Sequence, residues 1–146
     1  CEGSLCNSSA NIATIRKAFV LIMSDANNPI YELTGNGQTY ASNSQADVQI
    51  EPIADGESRS FNFKFADSAM QTLPKDSVIS VEFSGGTING TTSYTVGNTR
   101  SSGFKAIDFI LKNELDGEPE LATLSITIST PGTGNKIYFS QLISML

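Results

Sequence analysis

Apolar and polar residues alternate in several short segments of this chain, and this alternation constrains the fold more than any other feature. In the clearest segment, Phe61, Phe63 and Phe65 are separated by Asn62 and Lys64. A period of two places the three aromatic rings on one face of a β-strand and the polar side chains on the other. The segment therefore predicts a strand that covers a core with one face and meets solvent with the other.

Further segments show the same alternation or a short apolar run, and residues typical of turns separate them. These predicted strand segments span residues 30–33, 48–51, 79–83, 87–88, 92–96, 107–111, 124–128 and 136–146. The dipeptide Asn89-Gly90 is typical of a hairpin turn and predicts one between segments 87–88 and 92–96. Short strands at this spacing predict an all-β fold, an antiparallel β-sandwich or jelly-roll-like single domain with an N-terminal extension.

Residues 107–111 are the second strong candidate for the core. Ile107, Phe109 and Leu111 alternate with Asp108 and Ile110, so they share one face of a strand. We expect this face to contact the aromatic face of residues 61–65 across the core.

An apolar run near the start of the chain is the candidate subunit interface, and it consists of Ala18, Phe19, Val20, Leu21, Ile22 and Met23. It fits a strand buried on both faces, whereas the helical spacing of Ile12, Ile15, Phe19 and Ile22 leaves a helical turn before it as an alternative. The β-branched residues and the turn residues at 24–29 favour the strand. We therefore expect a flexible arm at residues 1–17 and a β-sandwich domain at residues 18–146.

Two cysteines, Cys1 and Cys6, lie in the polar arm. The numbering starts at a cysteine without a methionine or an export signal, so we expect a processed chain with an extracellular or cell-surface location. A chain that opens on cysteine resembles a bacterial lipoprotein, and that resemblance implies lipid attachment at Cys1. A disulfide within or between subunits is an equal alternative, because disulfides persist in oxidising compartments.

Charge and composition disfavour several functional classes. The formal net charge is −6 and the sequence has no basic stripe, which argues against nucleic-acid binding. The chain has no histidine, which excludes Ser-His-Asp and Cys-His catalysis and histidine metal sites. No apolar run approaches the roughly 18 residues that span a bilayer. We therefore expect no enzyme activity, no metal, no cofactor and no direct membrane span.

Two asparagines match the acceptor pattern for N-glycosylation. They are Asn7, in Asn7-Ser8-Ser9, and Asn89, in Asn89-Gly90-Thr91. A pattern of three residues often occurs by chance, so chance is a better explanation of both matches than glycosylation. A hairpin turn is a sufficient explanation of Asn89-Gly90.

The first functional hypothesis is a structural subunit of an extracellular, pilus-like filament or surface assembly. A flexible arm before an apolar strand suits addition of residues 18–23 to the sheet of another copy of the chain. In this general plan the chain is similar to pilins that assemble by donor-strand exchange. The resemblance implies a homopolymer joined through the N-terminal strand, although the strand could equally be the first strand of its own sandwich.

The alternative hypothesis is a carbohydrate-binding or adhesive cell-surface module, tethered in one version as a lipoprotein. The closing segment Lys136-Ile137-Tyr138-Phe139 resembles the last strand of galactose-binding-like modules. That resemblance implies a glycan ligand, and amide side chains and tyrosines clustered on one sheet face would favour it.

Overall fold

The fold is an antiparallel β-sandwich, as the alternation predicts. A computed structural model describes residues 27–42, 50–98, 101–114, 120–132 and 136–146, and for residues 136–138 only the backbone is considered. These residues form nine strands and no helix. The strands are β1 (Ile30–Gly35), β2 (Gln38–Ala41), β3 (Ser58–Ala66), β4 (Val78–Phe83), β5 (Gly86–Gly90), β6 (Ser93–Thr95), β7 (Lys105–Asn113), β8 (Glu120–Ser129) and β9 (Lys136–Met145).

The nine strands form two antiparallel sheets packed against each other. Sheet 1 has the order β2-β1-β3-β7-β5, and sheet 2 has the order β6-β4-β8-β9. The predicted all-β sandwich is therefore confirmed. The predicted arm at residues 1–17 and the predicted strand at 18–23 lie outside the described residues.

The core fills the space between the sheets. Phe63 and Phe65 of β3 are fully buried, and so are Phe109 of β7 and Ile126 of β8 at 1% exposure each. Along β3 and β7 the buried residues alternate with partly or fully exposed ones. The period of two therefore separates the core face of sheet 1 from its outer face, as the sequence predicts.

The two strongest core segments lie side by side in sheet 1, so the prediction that they meet across the core is wrong. Phe61 is paired with Phe109, and Phe63 with Ile107, in the antiparallel register of β3 and β7. The rings of Phe61 and Phe109 stack with their centroids 5.6 Å apart. Alternation determines which face of a strand is buried, but not which strand lies beside it, and the opposite layer comes from sheet 2.

The predicted hairpin at Asn89-Gly90 is also wrong, because β5 pairs with β7 in sheet 1 and β6 pairs with β4 in sheet 2. The chain thus passes from one sheet to the other just after Gly90. Gly90 has a φ of +106°, and a Cβ there would lie 2.7 Å from the Asp108 carbonyl oxygen. A close approach of two backbones requires this glycine.

A hairpin does form at the other Asn-Gly dipeptide. Asn36 and Gly37 have φ values of +50° and +76° and join β1 to β2, a strand that the sequence analysis did not predict. Positive φ at both central residues is the geometry of a type I′ hairpin turn.

The predicted strand at 48–51 is not found over its described residues. Residues 50–52 are irregular, and Ile53 forms an isolated parallel bridge with Met145 of β9. Residues 48 and 49 lie outside the described residues.

Replacing Phe63 with Ala is expected to lower the free energy of unfolding by about 3–5 kcal/mol, because a fully buried ring leaves a cavity in the core. Urea denaturation would measure the loss. The matched control is Ile110→Ala on the outer face of sheet 1, which should change stability by less than about 0.5 kcal/mol. A loss below about 1 kcal/mol for Phe63→Ala would contradict the core assignment.

Candidate functional site

Most of the residues predicted to act at a site lie outside the described residues. These residues are Cys1, Cys6, Asn7 and the interface strand Ala18 to Met23. Asn89 is described, and it lies exposed on β5. The roles assigned to all of them stay predictions. Two surfaces that the sequence analysis did not identify are the structural candidates: one edge of β9 and a groove on sheet 1.

The edge of β9 that faces away from β8 is the first candidate. β9 pairs with β8 along its whole ten residues, from Lys136 opposite Ser129 to Met145 opposite Glu120. On its other side, the described residues that bond to it belong to the segment around Ile53 and reach only its end: the Ile53 amide donates to the Ser144 carbonyl at 3.0 Å. Among the described residues, no strand pairs with this side of residues 136–143. We call this side the open edge of β9.

The open edge lacks three features that often protect sheet edges, namely short length, charged residues beyond Lys136 and proline. The other three edge strands, β2, β5 and β6, have four, five and three residues, whereas β9 has ten. Between Ile137 and Met145 the sequence has neither a charged residue nor a proline. Short length, charge and proline are the features that discourage a sheet edge from pairing with another chain. β9 is therefore the edge strand best suited to accept a further strand.

A buried asparagine fixes the segment that borders this edge. Asn113 ends β7, is 1% exposed, and donates from Nδ2 to the Ile53 carbonyl at 2.9 Å. Its backbone amide donates to the Glu57 carbonyl at 3.0 Å. Because Ile53 in turn bonds to the end of β9, Asn113 of sheet 1 is linked through this segment to sheet 2.

Two half-buried rings lie where the first half of β9 packs over sheet 1. Tyr31 of β1 stacks on Phe63 with centroids 5.7 Å apart and meets Phe139 of β9 edge-on at 5.8 Å. Burial raises the pKa of the Tyr31 hydroxyl. An added strand beside β9 would lie next to this apolar flank of the core.

The second candidate is a groove with a volume of about 530 Å³. Every described residue that lines it belongs to sheet 1 or to the turn after β1, and none belongs to sheet 2, so the groove lies on the outer face of sheet 1. Gly35, Phe61, Phe109 and Gly90 form one register row across four strands. The two rings of this row point into the core and its glycines have no side chain. On the outer face, this row therefore presents only backbone atoms, and these form the floor of the groove.

Two rows of outward residues form the walls. Thr34, Asn62 and Asp108 lie on one side, and Ser60, Ile110 and Asn89 lie on the other. Asn62 donates from Nδ2 to Asp108 Oδ1 at 2.7 Å. Ile110 is 39% exposed. The walls therefore combine amides, hydroxyls, one carboxylate and one aliphatic side chain.

Charged pairs lie on both sides of the groove. Lys64 Nζ lies 3.9 Å from Glu32 Oε2 beyond one wall. Beyond the other, Lys112 Nζ lies 3.0 Å from Glu114 Oε1, and this hydrogen bond lowers the pKa of the Glu114 carboxyl. Each of these two cations is neutralised by its neighbour, so this part of the chain gives the groove no net positive rim that would attract an anion.

At one end of the groove, Asn36 donates a hydrogen bond to the Glu51 carboxylate, which also pairs with Arg59 at 3.3 Å. Burial raises the pKa of the nearby Tyr40 hydroxyl, and the negative charge of Glu51 raises it further. The hydroxyl donates to Gln38 Oε1 at 2.6 Å. These contacts hold the β1–β2 turn in place beside the groove.

Within the described residues, no group of three acidic, histidine or cysteine side chains could hold a metal ion. That part of the chain also has no helix long and apolar enough to cross a membrane. Comparisons with protein-family models, with curated proteins and with solved structures give no match. The two surfaces must therefore be interpreted from their own chemistry, which is that of hydrogen bonding and apolar contact.

Replacing Asn113 with Ala is expected to lower the free energy of unfolding by about 1–3 kcal/mol, because a buried hydrogen bond is lost. It should also speed hydrogen exchange at the amides of Ile53 and Asp55, which bond to Ser144 and Leu146. Exchange measured by mass spectrometry or NMR would show the change, with outward-facing Asn62→Ala as the control. Unchanged protection of Ile53 and Asp55 would contradict the proposed link between the sheets.

Proposed function

We propose that the protein is a structural subunit of an extracellular, pilus-like filament or other cell-surface assembly. In this proposal the N-terminal strand at residues 18–23 of one copy adds to the open edge of β9 in the next. The observation that carries the proposal is that open edge, which covers residues 136–143 of the ten-residue strand β9, is uncharged beyond Lys136 and contains no proline. A long edge with these features is a template for pairing with another chain.

The length of the edge fits the strand proposed to join it. Six residues in extended conformation span roughly 20 Å at about 3.3 Å per residue. The stretch of β9 with which no described strand pairs on this side covers residues 136–143, which is long enough to accept all six. Backbone hydrogen bonds would supply affinity without any requirement for a particular side chain.

Side chains on one face of the added strand would meet the apolar flank of the core. Tyr31 and Phe139 are only partly buried there and pack against the core cluster. Residues 18–23 present apolar side chains on both faces, so either register places apolar groups against this flank. Covering two aromatic rings that are partly exposed favours association through the hydrophobic effect.

The arm before the added strand would then tether one subunit to the next. Cys1 and Cys6 lie in that arm, where a disulfide within or between subunits would reinforce the assembly in an oxidising compartment, or lipid on Cys1 would anchor it. We propose no catalytic role, because the chain has no histidine for Ser-His-Asp or Cys-His catalysis.

Deleting residues 1–23 is expected to abolish filaments that the full-length chain forms, because the deletion removes the strand that joins the subunits. Negative-stain electron microscopy of the two purified proteins side by side would test this. Circular dichroism would verify that the shortened chain keeps its β-sandwich. Well-folded monomers from the full-length chain would refute self-assembly as the function.

A synthetic peptide of residues 12–26 is expected to bind the chain that lacks residues 1–23 and to protect amides of β9 between 136 and 143 from hydrogen exchange. Protection there would distinguish pairing at β9 from pairing at β2, β5 or β6. A control peptide with Val20→Asp and Leu21→Asp should bind at least tenfold more weakly, since one charge then enters the apolar flank in either register. Protection confined to any other edge would refute β9 as the acceptor.

A further inference from the structure

We propose that the groove on the outer face of sheet 1 is a binding site for a neutral oligosaccharide. The site is separate from the open edge of β9, which belongs to sheet 2, and it does not depend on self-assembly. The proposal rests on the shape of the groove, on the polar groups of its walls and on the charge around it.

The shape suits an extended, flat ligand. The floor crosses β1, β3, β7 and β5, which at about 4.8 Å between neighbouring strands gives a length of roughly 14 Å. No side chain projects from the floor, because Phe61 and Phe109 point into the core and the row ends in glycines. A short chain of sugar rings can therefore lie across the strands in van der Waals contact with the backbone, whereas a compact ligand would leave much of the groove empty.

The polar groups in the walls suit adjacent hydroxyls. The bond between Asn62 and Asp108 uses one amide hydrogen and one carboxylate oxygen. Among the described residues, this leaves the Asn62 amide oxygen and Asp108 Oδ2 as acceptors and the second amide hydrogen as a donor. Neighbouring ring hydroxyls both donate and accept, so they can use such a pair together, and hydrogen bonds to an ionised carboxylate are stronger than neutral ones.

The opposite wall adds further contacts of the same kind. Ser60 and Asn89 are exposed and supply a hydroxyl and an amide. Exposed Ile110 stands between them in the register and offers an apolar surface to the C–H groups of a sugar ring. None of the described residues projects an aromatic side chain into the groove, so the affinity of one site should be modest, with a Kd on the order of 0.1–1 mM.

The charge of the groove favours a neutral ligand over an acidic one. Among the described residues that line it, Asp108 is the only acidic or basic side chain, and Lys64 and Lys112 on either side are paired with carboxylates. The net charge of the chain is −6, so an acidic glycan would be repelled both locally and at long range. Nucleic acid is disfavoured for the same reason.

The test is isothermal titration calorimetry of the full-length chain with neutral hexasaccharides and with an acidic one. The neutral probes are cellohexaose, xylohexaose, mannohexaose and maltohexaose, and the acidic probe is hexagalacturonate. We expect at least one neutral probe to bind with a Kd below about 1 mM, and hexagalacturonate to bind at least tenfold more weakly.

Two groove variants and one matched control locate the binding. Asn62→Ala and Asp108→Ala should each weaken the best neutral probe about tenfold, since each removes hydrogen-bonding groups that the ligand uses. Glu32→Gln, one register row away on the same face, should keep the affinity within twofold. All three residues lie on the outer face, and thermal unfolding would verify that each variant is folded.

Several outcomes would overturn the proposal. These are no heat of binding from any neutral probe at 10 mM, equal affinity for hexagalacturonate, or full affinity in both groove variants. Displacement of the bound probe by the peptide of residues 12–26 would assign the groove to another copy of the chain instead. Displacement by the peptide would also count against β9 as the acceptor edge, whereas the other three outcomes do not bear on whether the full-length chain forms filaments.

Discussion

The stacked rings of Phe61 and Phe109 join the two central strands of sheet 1 on the core side. The shape of the outer face of the sheet depends on the fact that both rings point inward. Both rings point into the core from neighbouring strands, and the Cβ that Gly35 lacks would lie 2.3 Å from the Phe61 ring. Because successive side chains of a strand alternate, the residues on either side of each ring must point outward. The same row that makes the core dense therefore leaves bare backbone outside, and the groove is the outer counterpart of this packing.

Local patterns predicted the strands of the core well, because alternation around Phe63, Phe109 and Ile126 is a direct result of burial on one face. The same patterns did not predict which strands pair with each other. Asn36-Gly37 and Asn89-Gly90 are the same dipeptide, yet only the first forms a hairpin. The strands on either side of Asn89-Gly90 pair elsewhere, because β5 pairs with β7 and β6 pairs with β4. Pairing of this kind depends on contacts between distant segments, which no short window of sequence contains.

The candidate surfaces were harder to predict for the same reason. Asn62 and Asp108 are both polar positions on alternating strands, and the sequence identified each as outward-facing. Their hydrogen bond exists only because β3 and β7 are neighbours in one sheet. The open edge of β9 likewise depends on strand order, although the absence of charge and proline from the segment was visible in the sequence.

If the subunits join at sheet 2, each repeat along an assembly carries one groove on sheet 1, and weak single-site affinities would combine through avidity.

The distance along the chain between bonded partners has a consequence for how the fold forms. Asn62 and Asp108 are 46 positions apart, and Asn113 and Ile53 are 60 apart, whereas β8 and β9 are consecutive. Closing a long loop costs more entropy than closing a short one, and folds dominated by distant pairings fold in milliseconds to seconds. The β8–β9 hairpin can therefore form with less entropic cost than the centre of sheet 1. While sheet 1 is still open, that hairpin exposes its apolar face as well as its edge, so folding competes with aggregation, and the balance shifts toward aggregation as the concentration of newly made chains rises.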